Sequence, residues 1–99
     1  MQVSRLWREA VGETGQRVAG VAVLGSQLFV VLAGTGHVLE YEASTGRLQQ
    51  RHRVEGLREP WDMAASTAQR QLVICGWGPR TLYLVDVVPG EKLTLTVAR

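Results

Sequence analysis

Short apolar runs alternate along this chain with polar punctuation, at intervals too close for long helices. "RVAGVAVL" (17–24) is small and apolar. "LFVVLA" (28–33) is an unbroken apolar run rich in β-branched residues, the pattern of a strand buried on both faces. "HVLEYE" (37–42) sets Leu39 and Tyr41 against Glu40 and Glu42, so one of its faces is wetter than the other. "RLQQRHRV" (47–54) is the most polar of the four, as suits an outer edge guarded by charge. Gly25-Ser26, "GTG" (34–36) and "ASTG" (43–46) supply the turns between them. The same order of runs then returns as "WDMAAS" (61–66), "QLVICG" (71–76), "TLYLVDV" (81–87) and "KLTLTVA" (92–98). The spacing predicts eight strands in two sets of four and leaves no room for a long amphipathic helix.

The return is a repeat in register. Laying 4–22 over 46–64 sets Arg5 on Arg47, Leu6 on Leu48, Glu13 on Glu55, Val21 on Met63 and Ala22 on Ala64, a shift of 42. Laying 28–46 over 72–90 sets Leu28 on Leu72, Val30 on Ile74, Gly34 on Gly78, Val38 on Leu82, Glu42 on Asp86 and Gly46 on Gly90, a shift of 44. Two extra residues in "STAQRQ" (66–71) relative to "GSQ" (25–27) absorb the difference, and insertions of that kind belong in turns. The units are 13–56 and 57–99. The leading segment 1–12 contains "VSRLWREA" (3–10), which aligns with a fourth strand. As paired core positions we expect Val21, Val23, Leu28, Val30, Met63, Ala64, Leu72, Ile74 and Cys75 to be buried.

A gradient from an apolar first strand to a polar fourth, repeated about every 40–45 residues, is the pattern of a β-propeller blade. "LEYEASTGRL" resembles the acidic-to-Thr-Gly turn of quinoprotein-type and YVTN-type blades, and "PWDMAAS…QLVICGWGPRTLYLVDV" resembles an NHL-type blade. The likeness spans nearly the whole chain. It departs from WD-type repeats, because Trp61-Asp62 opens a strand rather than closing one, and Gln50 or a neighbour stands where a quinoprotein blade carries its closing Trp. The resemblance implies an all-β chain of two four-stranded antiparallel blades plus an extra N-terminal outer-type strand, half or a third of a ring. A nine-stranded, two-sheet sandwich or barrel is the alternative. Two blades cover the face between them and leave two apolar faces open, which a soluble monomer does not tolerate. The expectation is therefore a homo-oligomer (a trimer of six blades first, then a tetramer or dimer) or a piece of a longer propeller, with strand 3–10 joining a neighbouring chain.

Composition narrows this picture only a little. Hydrophobic residues at 45% and charged residues at 20% place the chain among globular rather than disordered sequences. With 11 Lys+Arg against 9 Asp+Glu, the net charge of +2 is too mild to point to nucleic acid. The single cysteine, Cys75, can form no disulfide within the chain and reads as a small apolar residue. It is compatible with a reducing compartment, and the location leans cytoplasmic without being fixed. "MQVSRLWREAV" carries charges where a signal peptide needs an apolar run, and no run approaches the roughly 18 residues of a membrane-spanning helix. A soluble chain without a membrane partner is expected.

No motif announces chemistry. His37, His52 and Cys75 show no zinc spacing. "GTGH" (34–37) has Leu39 where a dinucleotide fingerprint needs its third Gly, and no Gly-x-Ser-x-Gly elbow occurs. Glu42 and Asp86 occupy equivalent turn-starting positions, where a carboxylate accepts backbone N–H bonds. We expect no enzyme, no cofactor and no metal.

Two features suit binding. In a propeller the connections from second to third strand and from fourth strand to the next blade share one rim, which here would gather His37, Arg58, Glu59, Trp61, Trp77 and Arg80. A flat ring beside a guanidinium suits sugars, peptides or stacked bases. The second feature is "RLQQRHR" (47–53), where strand alternation would put Arg47, Gln49, Arg51 and Arg53 on one face and Leu48, Gln50, His52 and Val54 on the other. The basic stripe of Arg47, Arg51 and Arg53 could meet phosphates, or simply keep an edge strand soluble. The expected function is a non-catalytic interaction module or scaffold holding a protein or peptide. The alternatives are a glycan-binding, lectin-like propeller and, third, an RNA-binding NHL-like surface.

Overall fold

The computed structural model describes residues 17–76 and 82–98. Eight strands follow one another: β1 (Val18–Leu24), β2 (Gln27–Leu32), β3 (His37–Glu42), β4 (Leu48–Arg53), β5 (Pro60–Ser66), β6 (Gln71–Gly76), β7 (Leu82–Asp86) and β8 (Thr94–Ala98). They form two four-stranded antiparallel meanders, β1-β2-β3-β4 and β5-β6-β7-β8. All eight strands predicted for the two repeats are present, with ends within two residues of those expected from the sequence. The expected N-terminal strand 3–10 lies outside the described residues, as do Trp77 and Arg80.

The repeat is legible in the backbone. The β1–β2 turn takes two residues, with Leu24 paired to Gln27 and Gly25 at φ 62, a conformation that suits glycine. The equivalent β5–β6 turn takes four, from Ser66 to its partner Gln71, so both inserted residues sit in that turn. Bulges recur at matching places: between Val18 and Gly20 and between Pro60 and Asp62 on the first strands, then at Gln49 and Thr96 of the fourth strands, opposite Glu40–Tyr41 and Leu84–Val85.

The sheets meet face to face in a seam that begins where β1 runs against β5. The approach is closest at Gly20, where a Cβ would lie 2.7 Å from the Met63 backbone nitrogen, so only glycine fits. Outward from there, Ala22, Leu24, Phe29, Val31 and Val38 of the first sheet pack with Met63, Leu72, Ile74, Tyr83 and Val85 of the second. Phe29, Val31, Leu72 and Ile74 are fully buried, each contributing about 1.5–3 kcal/mol of transfer free energy. The far face of the first sheet forms a second cluster from Val18, Leu28, Val30, Leu32, Leu39 and Tyr41. None of these six is more than 7% exposed, while Val23 on the same face, at its β1 edge, is 45% exposed. The far face of the second sheet, with Val73, Cys75, Leu82 and Leu84, is only half-buried.

Several expected core positions are corrected. Leu28, Val30, Met63, Leu72 and Ile74 are buried. Val23 is 45% exposed, Ala64 is exposed, and Val21 and Cys75 are half-buried. Val21 and Val23 pair with Val30 and Leu28, and so lie on the far face of β1, the edge strand of its sheet. Ala64 pairs with Val73 and Asp62 with Cys75, so Ala64 and Cys75 share the less covered far face of the second sheet.

Candidate binding rim and the buried histidine of the seam

The connection from β4 to β5 (54–59) hangs on two buried side chains, Val54 and Leu57. The Val54 N–H donates to the Gly36 carbonyl at 2.7 Å, and the Leu57 N–H to the Val54 carbonyl at 3.2 Å. A Cβ on Gly36 would lie 3.0 Å from the Val54 carbonyl oxygen and 3.2 Å from that of Leu57. The connection from β2 to β3 (33–36) therefore lies directly against 54–59, and the two loops share one rim. The far end of the longer loop is fastened as well. The Tyr83 hydroxyl donates to the Arg58 carbonyl at 3.3 Å, and the Trp61 indole N–H to the Gly76 carbonyl at 3.1 Å. Glu59 sits at φ 44, a left-handed conformation that costs a non-glycine residue on the order of 1 kcal/mol or more. Arg58 and Glu59 are exposed, Pro60 is buried, and Trp61 is 48% exposed. Four of the expected rim residues are thus placed: Arg58 and Glu59 lie on this loop, and Trp61 follows them as the second residue of β5. His37 follows the adjacent loop, its backbone N–H donating to the Thr35 hydroxyl at 3.2 Å.

The basic stripe is shorter than the sequence pattern implied. Glu40 pairs with Gln50 but Tyr41 with Leu48, so a bulge leaves Gln49 as an extra residue in β4. Alternation is reset there. Arg51 and Arg53, paired with Leu39 and His37, share one face and are exposed. Arg47 precedes the strand, beyond the bulge, and Leu48 packs on the far-face cluster instead of lining up with Gln50 and His52. Arg53 reaches Glu55 at 3.9 Å across open solvent, a pair worth little. An open depression beside it is lined by Arg53, Glu55, Lys92, Leu93, Thr94 and Leu95, where the end of β4 comes alongside the start of β8.

His52 was not singled out by sequence reasoning, yet among the described residues it is the sole buried polar or charged one, at 2% exposure. Its Nδ1 accepts the Leu93 backbone N–H at 3.2 Å, which leaves Nε2 carrying the proton. Nε2 donates to Glu40 Oε1 at 2.7 Å. The imidazole thus joins β4 to the segment leading into β8 of the other sheet, and its hydrogen bonds are satisfied inside the seam. The available signal was its parity with Val54, an inward position on an otherwise polar strand.

The two equivalent carboxylates act through side-chain partners rather than through backbone N–H groups. Glu42 Oε1 accepts from the Thr45 hydroxyl at 2.6 Å, and Asp86 Oδ1 accepts from the Gln71 amide at 3.0 Å. Both brace turns. Among the described residues no three His, Cys, Asp or Glu side chains converge as metal ligands would.

This architecture is a known one. The chain is all-β, with two four-stranded antiparallel sheets matching half of a larger propeller-like albumin chain. One such structure is a plant albumin from Cicer arietinum showing hemagglutination, at TM-score 0.65 and 9% identity, covering 100% of this chain and 49% of that one. Another is the 2S albumin seed protein from Dolichos, at TM-score 0.63 and 9% identity, covering 100% of this chain and 50% of that one. The chain therefore spans about half the length of the solved chains it matches. No protein-family model matches it. No curated protein matches it in sequence.

Proposed function

We propose that the chain is a non-catalytic interaction module of the propeller type, whose ligand docks on the rim loop carrying Arg58, Glu59 and Trp61. The observation that carries this reading is the fastening of that loop. The Tyr83 hydroxyl bond to the Arg58 carbonyl, the Val54 N–H bond to the Gly36 carbonyl and two buried side chains fix its backbone, while a large aromatic ring and two opposite charges remain exposed at its end. A pre-ordered loop loses little entropy on binding, and exposed Trp and Arg are the side chains that most often anchor a partner. An extended peptide with an aromatic or acidic anchor suits this chemistry.

A glycan is the second reading. A half-exposed indole beside a guanidinium and a carboxylate can stack on and hydrogen-bond a sugar, and one structurally similar albumin shows hemagglutination. The test is to screen the purified chain against a displayed peptide library and a glycan array in parallel, with Trp61→Ala and Arg58→Ala as controls. Peptide hits lost in both variants support the first reading, and glycan hits lost in both support the second. Hits that survive both substitutions move the ligand off this loop and sink both.

A further inference from the structure

His52 is a buried titratable group that the rim does not use, and its two hydrogen bonds fix its protonation state. Nδ1 accepts the Leu93 N–H at 3.2 Å and Nε2 donates to Glu40 Oε1 at 2.7 Å, with the residue 2% exposed. A backbone N–H can only donate, so this pair of bonds requires the neutral imidazole with its proton on Nε2. The repeat does not demand the pair. Leu84, beside Val73, stands in the second sheet where Glu40, beside Phe29, stands in the first. The dyad is an addition to the blade pattern rather than part of it.

The two bonds belong to different parts of the fold. Glu40 is on β3, next to β4 in the first sheet, whereas Leu93 leads into β8 of the second. A second proton on the ring goes to Nδ1, the nitrogen that still has its lone pair, and the imidazolium then has two donors and no acceptor. Nε2–H keeps Glu40, and the bond strengthens because both partners are charged. At Nδ1 a donor faces a donor, and the Leu93 bond is lost. Protonation thus turns a bridge between the sheets into an ion pair within one of them.

Other charges stand apart from this choice. Arg51 and Arg53, beside His52 on β4, lie on the opposite face of the strand. The connection 54–59 brings Glu55, Arg58 and Glu59, and the segment before Leu93 brings Glu91 and Lys92, all exposed to water. Tyr83, on the second sheet's side of the seam, has its hydroxyl engaged by the Arg58 carbonyl. Among the described residues Glu40 is the charged group in hydrogen-bond contact with the ring.

We propose that His52 is a proton-operated latch between the two sheets: neutral, it holds Leu93 against β4, and protonated, it keeps Glu40 and releases the lead-in to β8. What opens is the outer end of the seam, beside the depression lined by Arg53, Lys92 and Leu93. The latch does not depend on the rim binding a ligand.

Amide hydrogen exchange and imidazole nitrogen spectra of the whole chain, recorded from about pH 8 to about pH 5, test it, because histidine ordinarily changes charge in that range. Protection of the Leu93 amide, corrected for the pH dependence of intrinsic exchange, should fall about tenfold, as befits one hydrogen bond. Its midpoint should coincide with protonation of His52 Nδ1. Protection at Val30, in the middle of the first sheet, should stay constant. His52→Asn sets a carbonyl oxygen in place of Nδ1 and does not titrate, so Leu93 should stay protected at every pH, while His37→Asn should leave the transition as it is. The nitrogen spectra of the unsubstituted chain serve if His52→Asn does not fold. Leu93 protection unchanged while His52 protonates, or a His52 that takes up no proton above about pH 5, would overturn the proposal. So would a loss shared with Val30, a transition that survives His52→Asn, or one that vanishes in His37→Asn.

Discussion

Leu28, Val30, Leu39 and Tyr41 on the far side of the first sheet are no more than 2% exposed, whereas Val73, Cys75, Leu82 and Leu84 on the far side of the second are half-buried. The two sets are similarly apolar. They are not repeat equivalents, however. The closed set corresponds to Leu72, Ile74, Tyr83 and Val85, which form the second sheet's side of the seam. In a head-to-tail stack each sheet presents one kind of face forward and another kind backward, so equivalence in sequence and equivalence in environment part company. The seam shows both kinds fully satisfied. The half-buried face shows one kind only partly covered.

The sharpest way to break this comparison uses two neighbours on β6. Ile74→Ala, inside the seam, should cost about 2–5 kcal/mol. Val73→Ala, one residue earlier and on the other face, should cost about 1 kcal/mol or less. Urea denaturation at one fixed protein concentration measures both, and equal costs would mean that the two faces are alike. The bulges offer a second contrast. Gly20→Ala forces a Cβ onto the Met63 backbone and should cost about 1–3 kcal/mol. Asp62→Ala at the equivalent site loses only the 2.8 Å bond that the carboxylate accepts from the Met63 N–H, about 1 kcal/mol. A Gly20→Ala chain as stable as its parent would refute the close approach of β1 and β5.

His52→Leu keeps the side chain's bulk but leaves the Leu93 N–H without its acceptor, and should cost about 1–3 kcal/mol. Faster hydrogen exchange at the Leu93 amide would locate the loss in the seam. Smallest is Val23→Thr on the exposed side of β1, expected within about 0.5 kcal/mol of neutral. A larger loss would show that this side is covered in solution.

Strand positions and the repeat were plain in the sequence because alternation, turn residues and a slip confined to one turn are local signals. Burial was legible only where alternation existed. β1 is apolar at nearly every position, so period-two reading could not tell Ala22 and Leu24, which face the seam, from Val21 and Val23, which do not. The bulge at Gln49 reset the parity of β4, and no side-chain pattern announces an extra residue of that sort. The rim residues Arg58, Glu59 and Trp61 were found because loop position follows from strand order. His52 was overlooked because its partners, Glu40 and the Leu93 N–H, lie 12 and 41 residues away. Contacts at that range depend on how the sheets stack, which no local pattern encodes.

The meander topology also sets an order of events for a chain that starts unfolded. Among the described residues every strand pairs only with its immediate neighbours in sequence, so each sheet can assemble by closing short loops, with little chain entropy lost per step. Docking β5 on β1 is the one step that joins distant segments, and the short connection 54–59 keeps the two sheets within reach of each other while it happens. That step cannot begin until both inner strands are in register, because the bulge at Gly20 must already be formed for the backbones to approach. Seam closure is therefore the expected late event in folding. Substitutions confined to the seam should speed unfolding more than they slow folding.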